Sequence, residues 1–95
     1  MEIPQLTEEQ LQKLCEIAED AAREYILSKI SRRKITELNI AVEAEGNKPL
    51  TLKVEVDINL SPLMKGFDAQ RLVNEAVKEA FVSAEKYLRD MGANP

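Results

Sequence analysis

The chain has 95 residues, 44 % of them hydrophobic and 32 % charged, and its 17 acidic and 13 basic residues give a net charge of −4. This length predicts a single domain over residues 1–95 with a modest core. The chain contains no His and one Cys, which excludes His-based catalysis, multi-Cys metal sites and an internal disulfide. The negative charge makes direct nucleic-acid or anionic-membrane binding unfavourable. No apolar run is long enough for a membrane span and no signal-peptide pattern opens the sequence, so we expect a cytoplasmic protein.

The first predicted element is a helix over residues 8–31. Thr7 and Gln10 have the spacing of a capping box, in which each side chain satisfies the backbone N–H of the other. Leu6 and Leu11 are placed for a hydrophobic staple around that cap. Apolar residues then recur at spacings of three and four, which is typical of one buried helix face: Leu11, Leu14, Cys15, Ala18, Ala21, Ala22, Tyr25, Ile26 and Ile30.

The period then changes to two, which predicts strands over residues 35–45 and 50–60. The apolar side of the first strand is predicted to hold the even positions from Thr36 to Ala44, and that of the second the even positions from Leu50 to Leu60. Residues 46–49, Gly-Asn-Lys-Pro, form a turn signal between them. Keeping the apolar sides together favours a register that pairs Val42 with Val54 and Glu43 with Lys53.

A second helix is predicted over residues 69–91, capped by Asp68 and stopped by Gly92. Its apolar stripe covers about half of the helix circumference, which is broader than one contact with a sheet requires. The stripe contains Leu72, Val73, Ala76, Val77, Ala80, Phe81, Ala84, Tyr87, Leu88 and Met91.

The order helix, strand, strand, helix predicts an α+β two-layer sandwich, with both helices on one face of an antiparallel hairpin. Two strands span only about 10 Å, whereas two packed helices cover nearly twice that width. The second strand also has no internal Pro, Gly or inward charge to protect an open edge. We therefore expect a second chain, identical or similar, to extend the sheet by dimerisation; the alternative is a monomer whose helices curl around the hairpin.

Most reactive side chains have a structural explanation. Cys15 lies on the apolar stripe without a His to activate it, which favours a buried structural thiol over a nucleophile. Ser31 and Lys34 have the spacing of a serine–lysine pair, but this spacing is common by chance. Five carboxylates share the outer face of the hairpin, where a solvated surface is a better interpretation than a metal or acid–base site: Glu37, Glu43, Glu45, Glu55 and Asp57. The sequence thus indicates no catalytic, cofactor-binding or metal-binding set.

Two groups remain as candidate contacts. Lys29, Arg32, Arg33 and Lys34 form the dense basic cluster of the chain, which either binds an anionic partner or stabilises the end of the helix dipole. Ile17, Leu27 and Val82 fall outside the apolar stripes, and we interpret them as candidate docking residues for a partner protein. Single exposed apolar residues are also common on proteins without partners.

From Ile35 to about Met91 the pattern resembles the small Pcc-type subunit of the archaeal and eukaryotic KEOPS complex, which makes threonylcarbamoyladenosine in tRNA. The resemblance is carried by the segments Leu38-Asn39-Ile40-Ala41-Val42 and Leu52-Lys53-Val54-Glu55-Val56-Asp57-Ile58, followed by the helix after Asp68. This chain departs from that subunit by opening with a helix instead of a strand. As a whole it is similar to a small archaeal family of uncharacterised proteins paralogous to that subunit.

The resemblance implies a non-catalytic, dimerising assembly subunit whose helices dock on a larger protein. A second hypothesis is a freestanding homodimer that binds RNA or a small ligand through the basic cluster. An enzyme is the weakest hypothesis, because no nucleophile and base can be paired in the sequence.

Overall fold

The computed structural model describes residues 6–45, 50–64 and 66–92. Along these residues the chain forms helix α1 (Glu8–Lys29), a 3-10 turn (Arg32–Lys34), strands β1 (Ile35–Glu45) and β2 (Thr51–Leu60), and helix α2 (Ala69–Gly92). This order, with both helices packed against an antiparallel hairpin, confirms the predicted α+β two-layer architecture.

Helix α1 begins at the predicted capping box. The Gln10 backbone N–H donates to Thr7 Oγ1 at 3.1 Å, and the Thr7 backbone N–H donates to Gln10 Oε1 at 2.9 Å. The helix ends at Lys29, close to the predicted end near residue 31, and Ile30 is already extended, with φ −132° and ψ 134°. The basic residues that follow therefore lie in a separate 3-10 turn and not on the last turn of the helix.

The hairpin has the predicted register. Val42 pairs with Val54 and Glu43 pairs with Lys53, so the apolar sides of both strands lie on one face. The predicted turn at residues 46–49 lies outside the described residues.

A β-bulge at the start of β1 places one residue on a different face from the predicted one. Thr36 has no partner of its own, since Ile35 pairs with Leu60 and Glu37 with Asn59. The bulge changes the alternation, so Ile35 faces the helices while Thr36, predicted on the apolar side, is exposed. The Thr36 hydroxyl donates to the Asn59 carbonyl at 2.9 Å, which holds the bulge in place.

The connection from β2 to α2 is a short turn that ends in the predicted cap. Gly66 has a φ of +79°, a left-handed conformation that favours glycine. Asp68 Oδ1 accepts a hydrogen bond from the Arg71 backbone N–H at 3.0 Å and so caps α2. The described helix runs to Gly92, one residue beyond the predicted end.

The core lies between the two helices and the hairpin, with α1 covering β1 and α2 covering β2. The fully buried helix residues include small side chains on both helices, which let the helices approach closely. In the described part of the chain the buried residues are Leu6, Leu14, Ala18, Ala22, Ile26, Ile30, Leu72, Ala76, Ala80 and Ala84.

Candidate functional site

The apolar face of the hairpin is only partly covered by the helices. In the described part of the chain, every buried residue lies on a helix or next to one, and the inward side chains of both strands are half-buried. These strand residues contact the buried core, but part of each side chain remains accessible to solvent. Since the described sheet contains only β1 and β2, each strand also has an outer edge without a strand partner.

Open clefts run between each helix and the strand that it covers. The β1 cleft has a volume of about 240 Å³ and is lined by Arg23, Leu27, Arg32 and the residues from Ile35 to Leu38. The β2 cleft has a volume of about 220 Å³ and lies between Val56–Ile58 and the start of α2 at Ala69, Gln70 and Val73. On each side of the molecule, a gap therefore remains between a helix and the strand that it covers.

Helix α2 carries an apolar ridge beside the β2 cleft, formed by Val73, Val77 and Phe81, which we call the α2 ridge. The residues are four apart and thus lie along one side of the helix. Val73 lines the cleft over β2, which places the ridge above the outer edge of that strand. Phe81 belongs to the predicted apolar stripe but is 42 % exposed, because the buried face of α2 is narrower than that stripe. The excess width of that stripe is the sequence signal for the ridge.

The three predicted docking residues do not form one surface. Val82 is 52 % exposed, whereas Ile17 and Leu27 are half-buried, and Leu27 lies in the β1 cleft. The end of α1 lies beside the start of α2, so Leu27 lies near one end of the helical layer, whereas Val82 lies near the middle of α2. Val82 is therefore the predicted docking residue that is most accessible to a partner.

The basic cluster is divided between two environments. Lys29 Nζ lies 5.5 Å from the centre of the Tyr25 ring, and Lys29 also lines a cleft with Arg71 and Glu75 at the start of α2. Arg32, Arg33 and Lys34 are exposed, and Arg32 lines the β1 cleft with Arg23. Among the described residues, Arg23 forms ion pairs with Glu19 and Asp20, while Arg32, Arg33 and Lys34 form none.

Two groups beside the helical core have perturbed ionisation. Burial raises the pKa of the Cys15 thiol; Glu19 and Glu43 add to the rise, and a backbone hydrogen bond from Ala44 opposes it. Desolvation, followed by the hydrogen bond to the Glu75 carboxylate, raises the pKa of the Tyr25 hydroxyl. Both side chains therefore stay protonated at neutral pH, and a protonated thiol is a poor nucleophile.

The carboxylates on the outer face of the hairpin are exposed and have polar neighbours. Glu37 accepts hydrogen bonds from the amides of Asn39 and Asn59, both at 3.1 Å. Glu55 Oε1 lies 3.3 Å from Lys53 Nζ. Within the described residues, no group of three or more Cys, Asp or Glu side chains is arranged to hold a metal ion. Neither of the two described helices has the length and apolar character needed to cross a bilayer.

Comparison with known proteins places this geometry among archaeal relatives. A family model described as "Protein of unknown function (DUF3194)" matches residues 3–87. An uncharacterized protein of Thermococcus kodakarensis is 28 % identical over 89 residues, which cover 94 % of this chain and 82 % of that protein. An uncharacterized protein of Pyrococcus furiosus is 28 % identical over 87 residues, covering 92 % and 78 % of the two chains.

Solved structures share the fold. A crystal structure from Thermococcus onnurineus has a TM-score of 0.79 and 26 % identity, and the match covers 98 % of this chain and 89 % of that one. The solution structure of a hypothetical protein from Methanothermobacter thermautotrophicus also has a TM-score of 0.79, at 24 % identity, over 99 % of this chain and 100 % of that one. The description of the matching family assigns no activity.

Proposed function

The chain belongs to the DUF3194 family, and we propose that it is a non-catalytic assembly subunit whose sheet is completed by a second chain. The observation that carries the proposal is the contrast between a fully buried helix interface and a hairpin that has no buried residue in its described strands. An isolated two-stranded sheet is marginally stable, and exposed strand edges readily accept another strand. A second hairpin would give one of these open edges a strand partner and cover the half-buried apolar side chains beside it.

The second part of the proposal names the larger protein on which the helices dock. The resemblance to the Pcc-type subunit makes the catalytic subunit of KEOPS, on which the helices of that subunit dock, the larger protein to test. Val82 is the residue to test on the helical surface, because its side chain is 52 % exposed on α2. In this role the chain would act by occupying a position in an assembly and would carry out no reaction.

Sedimentation equilibrium tests the completion of the sheet. We expect a dimer at micromolar concentration, and a folded monomer at every concentration up to about 0.2 mM would overturn the proposed self-association. Circular dichroism on the same samples shows whether the chain is folded.

Size-exclusion chromatography with the purified KEOPS catalytic subunit tests the partner. We expect co-elution that is lost in Val82→Glu and retained in Gln12→Glu, which adds the same charge at an exposed position of α1. Thermal melts of both variants should match that of the natural chain. Absence of co-elution with the natural chain would contradict this partner and leave the dimer proposal untouched.

The second candidate function is anion binding through Arg32, Arg33 and Lys34. It is favoured by the absence of acidic partners for these three exposed side chains among the described residues. A gel shift with tRNA at several salt concentrations tests it, since binding through phosphates weakens steeply with salt. Reversing these three charges should abolish the shift, while reversing Lys13, Lys78 and Lys86 should preserve it. A natural chain that gives no shift at low salt would contradict this candidate.

A further inference from the structure

We propose that the second chain is another copy of this protein and that it pairs antiparallel along the outer edge of β2, with the two-fold axis passing beside Val54. This inference rests on the proposed function and adds the edge, the register and the helix contact. Two independent features of the molecule, the charge pattern of the strands and the position of the α2 ridge, lead to the same axis.

The charge pattern distinguishes the two edges. The exposed side of β1 carries the acids Glu37, Glu43 and Glu45 and no base, so no register of β1 against its own copy brings opposite charges together. The exposed side of β2 carries Lys53 together with Glu55 and Asp57. Only β2 can therefore form favourable charged pairs with itself.

The same charges select one register of β2. An axis beside Val54 places Lys53 opposite Glu55 of the second copy, twice by symmetry, and it places no like charges opposite each other. An axis beside Glu55 would pair Lys53 with Asp57 twice but would also place the two Glu55 side chains opposite each other. An axis beside Lys53 would place the two lysines opposite each other and form no attractive pair. Like charges directly opposite are destabilising in a sheet.

The apolar side chains agree with this register. An axis beside Val54 places Val54 opposite its own copy, Leu52 opposite Val56, and Leu50 opposite Ile58. All five residues are half-buried within one chain and face the helices. The dry faces of the two hairpins would therefore become continuous, with four strands in the order β1, β2, β2, β1.

The α2 ridge lies above the same point. The β2 cleft brings Asp57 close to the α2 segment from Ala69 to Val73. Val54 lies three residues back along β2, which is about 10 Å at the rise of a strand. Because α2 runs antiparallel to β2, that distance corresponds to about seven residues of helix, which leads to Val77.

Val77 is the middle residue of the α2 ridge. A two-fold axis at this level brings Val77 against Val77 of the second copy and Val73 against Phe81. This contact would cover the exposed Phe81 ring, whose exposure within one chain is 42 %. The α2 helices would then pack side by side across the axis and close the β2 clefts of both copies.

Matched charge reversals test the edge and the register. Glu55→Lys should weaken the dimer about tenfold or more, because two attractive pairs become two repulsive ones. Glu45→Lys on β1 is the control: it changes the same charge at an exposed strand position, and like Glu55 it faces an uncharged residue within the hairpin. Because Glu55 also contacts Lys53 within one chain, circular dichroism of both variants should show that each remains folded. Adding Lys53→Glu to Glu55→Lys should restore the affinity to within about threefold of the natural chain.

Disulfide trapping tests the helix contact without disturbing the charges. In a Cys15→Ala background, Val77→Cys should oxidise readily to a covalent dimer, whereas Val82→Cys, which is more exposed but lies elsewhere around the helix, should oxidise slowly. Equal trapping of both variants would overturn the α2 contact.

The outcomes separate this inference from the proposed function. A folded chain that never dimerises overturns this inference and the proposed self-association, whereas co-elution with the KEOPS subunit is tested independently. A dimer that Glu55→Lys does not weaken, or that Glu45→Lys weakens equally, overturns the β2 edge while the assembly proposal stands. Oligomers that grow without limit with concentration would indicate head-to-tail pairing of β1 with β2 and would also overturn the closed two-fold dimer.

Discussion

The helical layer and the hairpin of this protein differ in how completely they bury their apolar side chains. Leu14, Ile26 and the alanines between α1 and α2 are fully enclosed within one chain. The inward residues of the strands have the same apolar character, yet none of them is fully buried. The apolar side chains between the helices are thus fully buried within a single copy, whereas those of the hairpin leave apolar surface that a second chain can cover.

A matched pair of truncations gives the largest expected effect and tests this contrast directly. Leu14→Ala removes a fully buried side chain and should lower the free energy of unfolding by about 2–5 kcal/mol. Leu52→Ala removes the same atoms from a half-buried position and should cost about half as much. Urea denaturation at low protein concentration measures both, and equal losses would break the comparison between the two layers.

Enlarging a small residue tests how tightly the helices pack. Ala80 is fully buried, so Ala80→Leu should lower the free energy of unfolding by about 1–3 kcal/mol through overpacking. Ala41→Leu, on the exposed face of β1, should change it by less than about 0.5 kcal/mol. Thermal melts followed by circular dichroism distinguish the two, and a tolerant Ala80 would show that the helices leave room for a larger side chain.

Removing the α2 cap should have a smaller effect that is confined to the helical layer. Asp68→Ala deprives the Arg71 N–H of its acceptor and should cost about 0.5–2 kcal/mol of stability. Asp68→Asn keeps a good capping side chain and should cost much less. Chemical denaturation of the two variants checks the ranking, and an equal loss would point to the charge of Asp68 instead of its hydrogen bond.

Alkaline pH should produce the smallest effect, because the raised pKa values of Cys15 and Tyr25 belong to half-buried groups at the border of the helical layer. In the folded chain both groups hold their protons more tightly than in the unfolded chain. Their contribution to stability is therefore complete below the ordinary pKa values, about 8.5 for a thiol and 10 for a phenol, and is lost as the pH rises through the folded-state values. A Tyr25→Phe, Cys15→Ala variant should lose less stability between pH 8 and pH 11 than the natural chain; an equal loss in urea titrations would contradict this.

The regular parts of the fold are predictable because each follows a local rule. The capping box at Thr7 and the Val42–Val54 register depend on side chains close in sequence or on a strict alternation, and the structure confirms both. The exposure of Phe81 is not predictable in this way, because periodicity does not show how wide the buried face of a helix becomes.

The candidate site is predictable only in outline. The difference in width between two strands and two helices follows from the order of the elements and predicts open edges, and the excess apolar width of α2 predicts a second contact. The side of the sheet that each helix covers depends on tertiary packing, so the meeting of the α2 ridge with the outer edge of β2 emerges only in the folded chain.

The β-bulge at Thr36 has a consequence for the choice among alternative strand pairings. Strict alternation forbids a slip of one residue but allows a slip of two, since such a slip returns every apolar side chain to the same face. Such a slip would also have to move the bulge, because Thr36 is the extra residue and its hydroxyl bonds to the carbonyl of Asn59. The bulge thus adds a cost to leaving the observed alignment.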